Sequence, residues 1–151
     1  MIKIICVGKI KENYFTEAIN EYKKRLEKYT KLEIIELMDE GIDDITKAIR
    51  LEGEKIKKYL SPKDYIITLE INGKEISSET LAHLLENTLI YNSNITFVIG
   101  GSYGLSDEIK SLASYHLSFS KMTFPHQLFR IILLEQIYRS FKINNNESYH
   151  K

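Results

Sequence analysis

Three short segments of the chain place glycine, hydroxyl and aromatic residues directly after apolar, β-branched runs. They are 69–74 (Leu-Glu-Ile-Asn-Gly-Lys), 99–105 (Ile-Gly-Gly-Ser-Tyr-Gly-Leu) and 119–125 (Phe-Ser-Lys-Met-Thr-Phe-Pro). Glycine lets a ligand lie against the main chain, and free N–H groups near a helix start can donate to it. Ligands of open α/β sheets bind beyond the carboxyl ends of the strands. The segments therefore form a candidate ligand site, with a simple tight turn as the alternative reading of each glycine loop.

Several common catalytic motifs are missing. The glycines at 100, 101 and 104 follow the predicted fourth strand as G-G-x-x-G, whereas the dinucleotide fingerprint is G-x-G-x-x-G after the first strand. Neither a P-loop, G-x-x-x-x-G-K-[ST], nor a serine nucleophile elbow, G-x-S-x-G, occurs. His83, His116, His126 and His150 are too scattered for a metal site. We interpret His83 as part of a solvated helix face and His116 as structural, while His126 adjoins the third candidate segment.

Charge and composition limit the possible partners. The 151 residues include 21 basic and 21 acidic side chains, so the formal net charge is zero. A protein that holds nucleic acid over a broad surface is usually basic, so any RNA contact must come from a local patch. We interpret the acidic run 33–44 as a solvated edge and expect an anionic partner at the more basic segment 121–151. The single cysteine, Cys6, is read as a core residue, and the absence of a recognisable signal peptide or long apolar run favours a cytoplasmic protein.

Strand and helix patterns alternate along the whole chain, which predicts one domain of residues 1–151. β-Branched apolar runs predict strands at 2–7, 32–37, 64–69, 95–99 and 115–119. Apolar residues at helical spacing separate these runs, and the candidate N-caps are Asp43 or Asp44, Ser77 or Ser78, and Ser106. Asn72 and Gly73 predict a turn after the third strand. Alternating elements of this kind form an α/β fold, a mostly parallel sheet with helices on both faces.

The last helix, predicted from Pro125 to about Ile143, is apolar on nearly every side. Its apolar residues are Leu128, Phe129, Ile131, Ile132, Leu133, Leu134, Ile137, Tyr138 and Phe141. A helix of this kind must be buried on nearly every side. We expect a second subunit to cover it, with a wholly internal helix as the alternative. The polar tail 144–151 is predicted to be mobile when alone.

Taken together, four segments resemble the RlmH family of SPOUT-class methyltransferases, which modify a pseudouridine in 23S ribosomal RNA of the large ribosomal subunit. The segments are 99–105, 117–127, 134–139 and 149–151. The resemblance covers the whole chain in length and element order, and it is most specific in the C-terminal third.

The resemblance implies a C-terminal trefoil knot, a homodimer, and S-adenosylmethionine bound bent within the knot, with no metal. The positions that match the family's cofactor site are Leu69, Gly100, Phe119, Ser120, Lys121, Met122, Thr123 and Phe124. We expect Gly100→Leu to abolish cofactor binding while leaving the fold intact, because a side chain there would occupy the ligand's volume.

The acceptor side of the reaction involves residues of the last helix and of the tail. The resemblance implies that the tail of one subunit reaches the cofactor of the other, so Tyr149 and His150 would complete a composite site. His126, Arg139 and His150 are the candidates for a base or an anion-stabilising cation, because N3 of pseudouridine carries a proton. Ser148 and Lys151 stand where proline and arginine are common in the family.

Three rival functions remain at this point. A flavodoxin-like regulatory domain would need an aspartate at the end of an early strand, where this chain has Val7 and Gly8. A ribosome-binding assembly protein of the same fold would lack turnover. A SPOUT enzyme that acts on transfer RNA would differ only in its substrate.

Overall fold

The computed structural model describes all residues, 1–151, and its five strands form one sheet. The elements are β1 (Ile2–Val7), α1 (Asn13–Leu26), β2 (Leu32–Leu37), α2 (Ile45–Lys57), β3 (Asp64–Glu75), α3 (Ser78–Tyr91), β4 (Asn94–Ile99), α4 (Asp107–Ser111), β5 (Tyr115–Ser118) and α5 (His126–Asn144). The strand order is β2-β1-β4-β3-β5, and every pairing is parallel. The predicted parallel α/β sheet is confirmed.

Helices cover both faces of this sheet, as predicted. Ile4 and Cys6 of β1 belong to a core shared with α1, α3 and α5, whereas Ile5 and Val7 belong to a smaller core shared with α2 and α4. Successive side chains of a strand point to opposite faces, so β1 is buried on both sides and reads as a continuous apolar run. Cys6 is fully buried, which confirms its reading as a core residue. The knot stays a prediction.

Local capping explains where three helices begin. Asp44, Ser77 and Ser106 precede α2, α3 and α4, and each side chain accepts a hydrogen bond from the backbone N–H three residues later. The capping predictions are therefore confirmed at these positions. None of the helices combines the length and apolar content that crossing a bilayer requires.

The turn predicted at Asn72 and Gly73 is wrong as the end of β3, because the strand continues past both residues. Leu69 and Lys74 each stand opposite Leu117 of β5, so the residues between them bulge out of the ladder. A Cβ on Gly73 would lie 2.7 Å from the carbonyl carbon of Leu117, so the close approach of the two strands requires glycine.

A buried ion pair fastens the amino ends of the central strands. Lys3 Nζ lies 3.0 Å from Asp64, whose carboxylate also accepts hydrogen bonds from Ser61, Asn94 and Thr96. Burial alone would raise the pKa of Asp64, but these hydrogen bonds outweigh burial and lower it. The ion pair therefore holds β1, β3 and β4 together at their amino ends. The candidate site lies at the opposite, carboxyl ends of β3, β4 and β5.

Candidate active site

A cavity of about 450 Å³ lies beyond the carboxyl ends of β3, β4 and β5, and all three candidate segments line it. Parallel strands deliver their carboxyl ends to one edge of a sheet, which is why segments far apart in sequence meet here. Seven of the eight residues that the resemblance assigns to the cofactor line the cavity: Leu69, Gly100, Phe119, Ser120, Met122, Thr123 and Phe124. The eighth, Lys121, is exposed and lies outside the lining.

Gly100, Gly101 and Gly104 fold the segment after β4 into a closed loop. Gly104 donates its N–H to the carbonyl of Gly101 at 3.0 Å and has a φ of +86°, which favours glycine. A Cβ on Gly100 would lie 2.7 Å from both the carbonyl carbon and the oxygen of Gly104. The expectation that Gly100→Leu leaves the fold intact is therefore wrong, because the side chain would collide with the loop itself.

Aromatic packing holds the segment after β5 against α5. Phe119 meets Phe129 edge to face with 5.1 Å between ring centroids, and Phe124 stacks on the same ring at 6.0 Å. The Ser118 hydroxyl donates to the carbonyl of Ile71 at 2.9 Å. These contacts connect segment 119–125 to segment 69–74 and to α5.

Glu70 is the one carboxylate that lines the cavity, and two residues outside the lining hold it in place. It pairs with His116 of β5, and Thr68 donates its hydroxyl to the same carboxylate at 2.6 Å. His116 therefore supports a wall residue, in keeping with its structural interpretation, and His83 is exposed on α3 as predicted. No three His, Cys, Asp or Glu side chains lie close enough together to hold a metal ion.

The first turn of α5 connects the cavity to β1. His126 lines the cavity, and burial together with the charge of Arg130 lowers its pKa, against a weaker opposite effect of Asp39. The buried Arg130 guanidinium donates to the carbonyl of Gly8 at 2.6 Å and to Glu36 at 2.8 Å. Burial and the charge of Arg130 thus favour the uncharged form of the His126 ring, which can accept a proton.

The C-terminal tail, which the sequence predicted to be mobile when alone, packs on α5 of its own chain. Tyr149 lies edge to face on Tyr138, with 5.0 Å between ring centroids, and donates its hydroxyl to Glu135 at 3.1 Å. Arg139 lies over the Tyr149 ring, 4.8 Å from its centroid, and donates to Glu135 at 2.6 Å. One aromatic residue with two charged neighbours anchors a segment whose composition is otherwise polar.

His150 completes this tail cluster of Arg139, Tyr149 and His150. Its Nδ1 lies 3.1 Å from Nη1 of Arg139, and its Nε2 lies 2.7 Å from Glu79. A guanidinium only donates hydrogen bonds, so Nδ1 must accept, and we assign the ring proton to Nε2, which donates to Glu79. In this arrangement His150 is a neutral ring that orients Arg139.

The structure divides the four candidate catalytic residues into two groups. His126 lines the cavity, whereas none of the tail cluster does. Within one chain, the tail cluster and the proposed cofactor segments are therefore separate sites.

Comparisons with known proteins identify the family. A family model described as "Predicted SPOUT methyltransferase" matches residues 1–150. The chain belongs to the SPOUT methyltransferase family. Two curated relatives are named "Ribosomal RNA large subunit methyltransferase H". The Clostridium novyi protein is 55% identical over 157 residues, covering 99% of each chain, and the Caldicellulosiruptor saccharolyticus protein is 50% identical over 154 residues, covering 100% of each.

The fold of this SPOUT methyltransferase also resembles a solved structure from Haemophilus influenzae, described as a "probable methylase family protein". The TM-score is 0.56 at 14% identity, and the match covers 99% of this chain and 70% of that one. At that identity the likeness concerns the fold alone.

Sequence reasoning missed the residues that hold the candidate catalytic groups of this methyltransferase. Glu135 lies four residues before Arg139, and that helical spacing was a usable signal. Glu79 is 71 residues from His150, and Arg130 is 122 residues from Gly8. No sequence pattern connects partners so far apart.

Proposed function

We propose that this SPOUT methyltransferase methylates N3 of a pseudouridine in 23S ribosomal RNA of the large ribosomal subunit. The carrying observation is the full-length match, at 50% and 55% identity, to relatives named for ribosomal RNA large subunit methylation. The segments that resemble the RlmH family also supply most of the cavity lining and the tail cluster. A ribosomal substrate would place the protein in the cytoplasm.

The cavity fits S-adenosylmethionine as the methyl donor. Its volume of about 450 Å³ falls within the ~300–1,000 Å³ typical of small-molecule sites. Apolar walls come from Leu69 and the aromatic residues of Phe119–Phe124, while the glycine loop presents main chain to a ligand. The sulfonium of the donor supplies an electrophilic methyl group, so the transfer requires no metal. We propose that the donor is held by the seven matching residues that line the cavity: Leu69, Gly100, Phe119, Ser120, Met122, Thr123 and Phe124.

The acceptor nitrogen must lose its proton as the methyl group arrives. Arg139 is held by Glu135, Tyr149 and His150, so it presents a fixed cation that stabilises negative charge developing on the acceptor base. The neutral ring of His126 accepts the proton from the cavity side. Holding donor and acceptor in line accounts for the remaining task of the enzyme.

A homodimer would unite the two groups of residues. α5 leaves apolar side chains incompletely covered in the single chain: Leu128 is 38% exposed, and Ile131 and Ile132 are half-buried. A second copy that packs on this helix would cover them and place the tail cluster of one subunit at the cavity of the other. This arrangement is part of the proposal.

The decisive experiment measures methyl transfer from labelled S-adenosylmethionine to large ribosomal subunits from a strain that lacks this gene. We expect a single methyl group on N3 of a pseudouridine, located by mass spectrometry of digested RNA. Arg139→Met should abolish transfer, whereas Arg50→Met, which removes an exposed arginine ion pair on α2, should not. Subunit binding without transfer would indicate an assembly protein, and methylation of transfer RNA instead would indicate a different substrate; either contradicts the proposal.

A further inference from the structure

The chain reverses direction immediately after α5. The backbone N–H groups of Asn145, Asn146 and Glu147 donate to the carbonyls of Phe141, Ile143 and Lys142, each at 3.0 Å. Asn146 has a φ of +53°, the left-handed conformation that commonly ends a helix. The turn sends residues 147–151 back along the last helix.

Glu147 is the first side chain after this turn, and three donors from two helix ends surround its carboxylate. Lys142 Nζ lies at 2.7 Å, the Tyr29 hydroxyl at 2.8 Å and Lys28 Nζ at 3.2 Å. Tyr29 is itself held by stacking on Phe141, with 5.6 Å between ring centroids. The hydrogen bonds from Lys142, Tyr29 and Lys28 lower the pKa of Glu147 to about 2.

This anchor stands just before the tail cluster. Tyr149 follows Glu147 by two residues and His150 by three, and the intervening Ser148 is exposed and has no ring to fix its backbone. Tyr149 contacts Glu135, and His150 contacts Arg139 and Glu79. These contacts can form only if the turn places the tail at the correct position along α5. The Glu147 carboxylate forms no hydrogen bond or ion pair with any of these groups; its polar partners are Lys28, Tyr29 and Lys142.

We propose that Glu147 is a positioning residue for methyl transfer, because its hydrogen bonds with Lys28, Tyr29 and Lys142 set the register in which Tyr149 and His150 meet Arg139. The inference rests on the proposed function of the tail cluster at the acceptor. Glu147 acts through the tail, so it affects the rate of transfer more than the binding of the donor.

Three variants of the full-length protein test this role. Glu147→Gln keeps the shape but removes the charge, Glu147→Asp keeps the charge, and Glu54→Gln removes a carboxylate from an exposed ion pair on α2 as the matched control. For Glu147→Gln we expect kcat for ribosomal subunits to fall by about tenfold to a hundredfold, as for other small misplacements of reacting groups. KM for ribosomal subunits and Kd for S-adenosylmethionine should change much less than kcat. Glu147→Asp should recover most of the rate, and Glu54→Gln should match the wild type.

Amide hydrogen exchange gives an independent readout. In Glu147→Gln, the amides of 147–150 should exchange faster while those of 133–138 in α5 stay protected. Unchanged kcat, or equal losses in kcat, donor affinity and melting temperature, would overturn the proposal. If the wild-type protein transfers no methyl group to ribosomal subunits, the proposed function fails, and the anchor is then decided by exchange alone: equal tail exchange in wild type and Glu147→Gln overturns it.

Discussion

Gly100→Ala should damage the proposed donor site by moving the glycine loop. The added Cβ would lie 2.7 Å from two backbone atoms of Gly104 and 3.1 Å from Cδ2 of Leu105. Carbon atoms prefer separations of ~3.5–4.0 Å, so part of the loop must shift by about 1 Å. Overpacking of this kind costs about 1–3 kcal/mol of folding stability. In a chain of this length each kcal/mol lowers Tm by roughly 2–4 °C.

The loop lines the cavity, so the same shift should weaken the binding of the donor. We expect Kd for S-adenosylmethionine to rise by about tenfold, which corresponds to ~1.4 kcal/mol. Titration calorimetry measures Kd, and scanning calorimetry measures Tm on the same samples. Gly41→Ala is the matched control, because a Cβ there meets no atom within 4 Å and φ is not positive.

Gly104→Ala separates steric collision from backbone strain. Its Cβ would lie in open space, but the φ of +86° makes alanine unfavourable by roughly 1–2 kcal/mol. We therefore expect lost stability with a smaller change in donor affinity than for Gly100→Ala. If Gly100→Ala binds the donor as tightly as Gly41→Ala does, the loop does not form the donor site and the reasoning is wrong.

Four further predictions follow from the tail, the last helix and the core. Deletion of residues 149–151 should lower the free energy of unfolding by about 1–3 kcal/mol, because the ring contact of Tyr149 with Tyr138 and its hydrogen bond to Glu135 are lost. The same deletion should slow methyl transfer on the order of a hundredfold. An unchanged rate of transfer would exclude a role for the tail. Light scattering at micromolar concentration should give the mass of a dimer, and Leu128→Glu should shift it towards monomer. The pKa of the Cys6 thiol is raised by burial to about 11, so thiol reagents at pH 8 should label it only at the rate of global unfolding. Because the pKa of Glu147 is lower in the folded protein than its ordinary 4.5, its contribution to stability is complete above that value and lost as pH falls towards about 2, so the protection of the tail amides, measured as exchange relative to the intrinsic rate at each pH, should fall across that range.

The order of elements could be predicted from the sequence because short-range spacing determines it. The β-branched run of β1 is apolar throughout because both of its faces are buried. Asp44 and Ser77 predict where α2 and α3 begin, because a side-chain oxygen that caps a helix needs only the backbone N–H three residues later. The meeting of the segments after β3, β4 and β5 at one cavity follows from the parallel topology that such alternation implies.

No sequence pattern predicted the contacts between residues that are far apart in the chain. The bulge of β3 depends on how closely Gly73 approaches β5, and nothing near Gly73 in the sequence records that distance. The polar composition of 144–151 indicated a mobile tail, yet Tyr149 finds an aromatic partner and a carboxylate on α5. Lys121 matched the family motif in sequence but lies outside the cavity.

The sequence by itself determined the parallel α/β class, the three strand-end segments and the resemblance to the RlmH family, because periodicity, capping and motif spacing are local properties of the chain. Only the tertiary structure decided that Gly100 is required by its own loop, that His150 accepts from Arg139, and that Glu147 anchors the tail. The partners of Glu147 at Lys28 and Tyr29 lie 119 and 118 residues away. Hydrogen bonds of that kind form only after the chain has packed, since the free energy that selects them comes from the burial of the whole core and not from neighbouring residues.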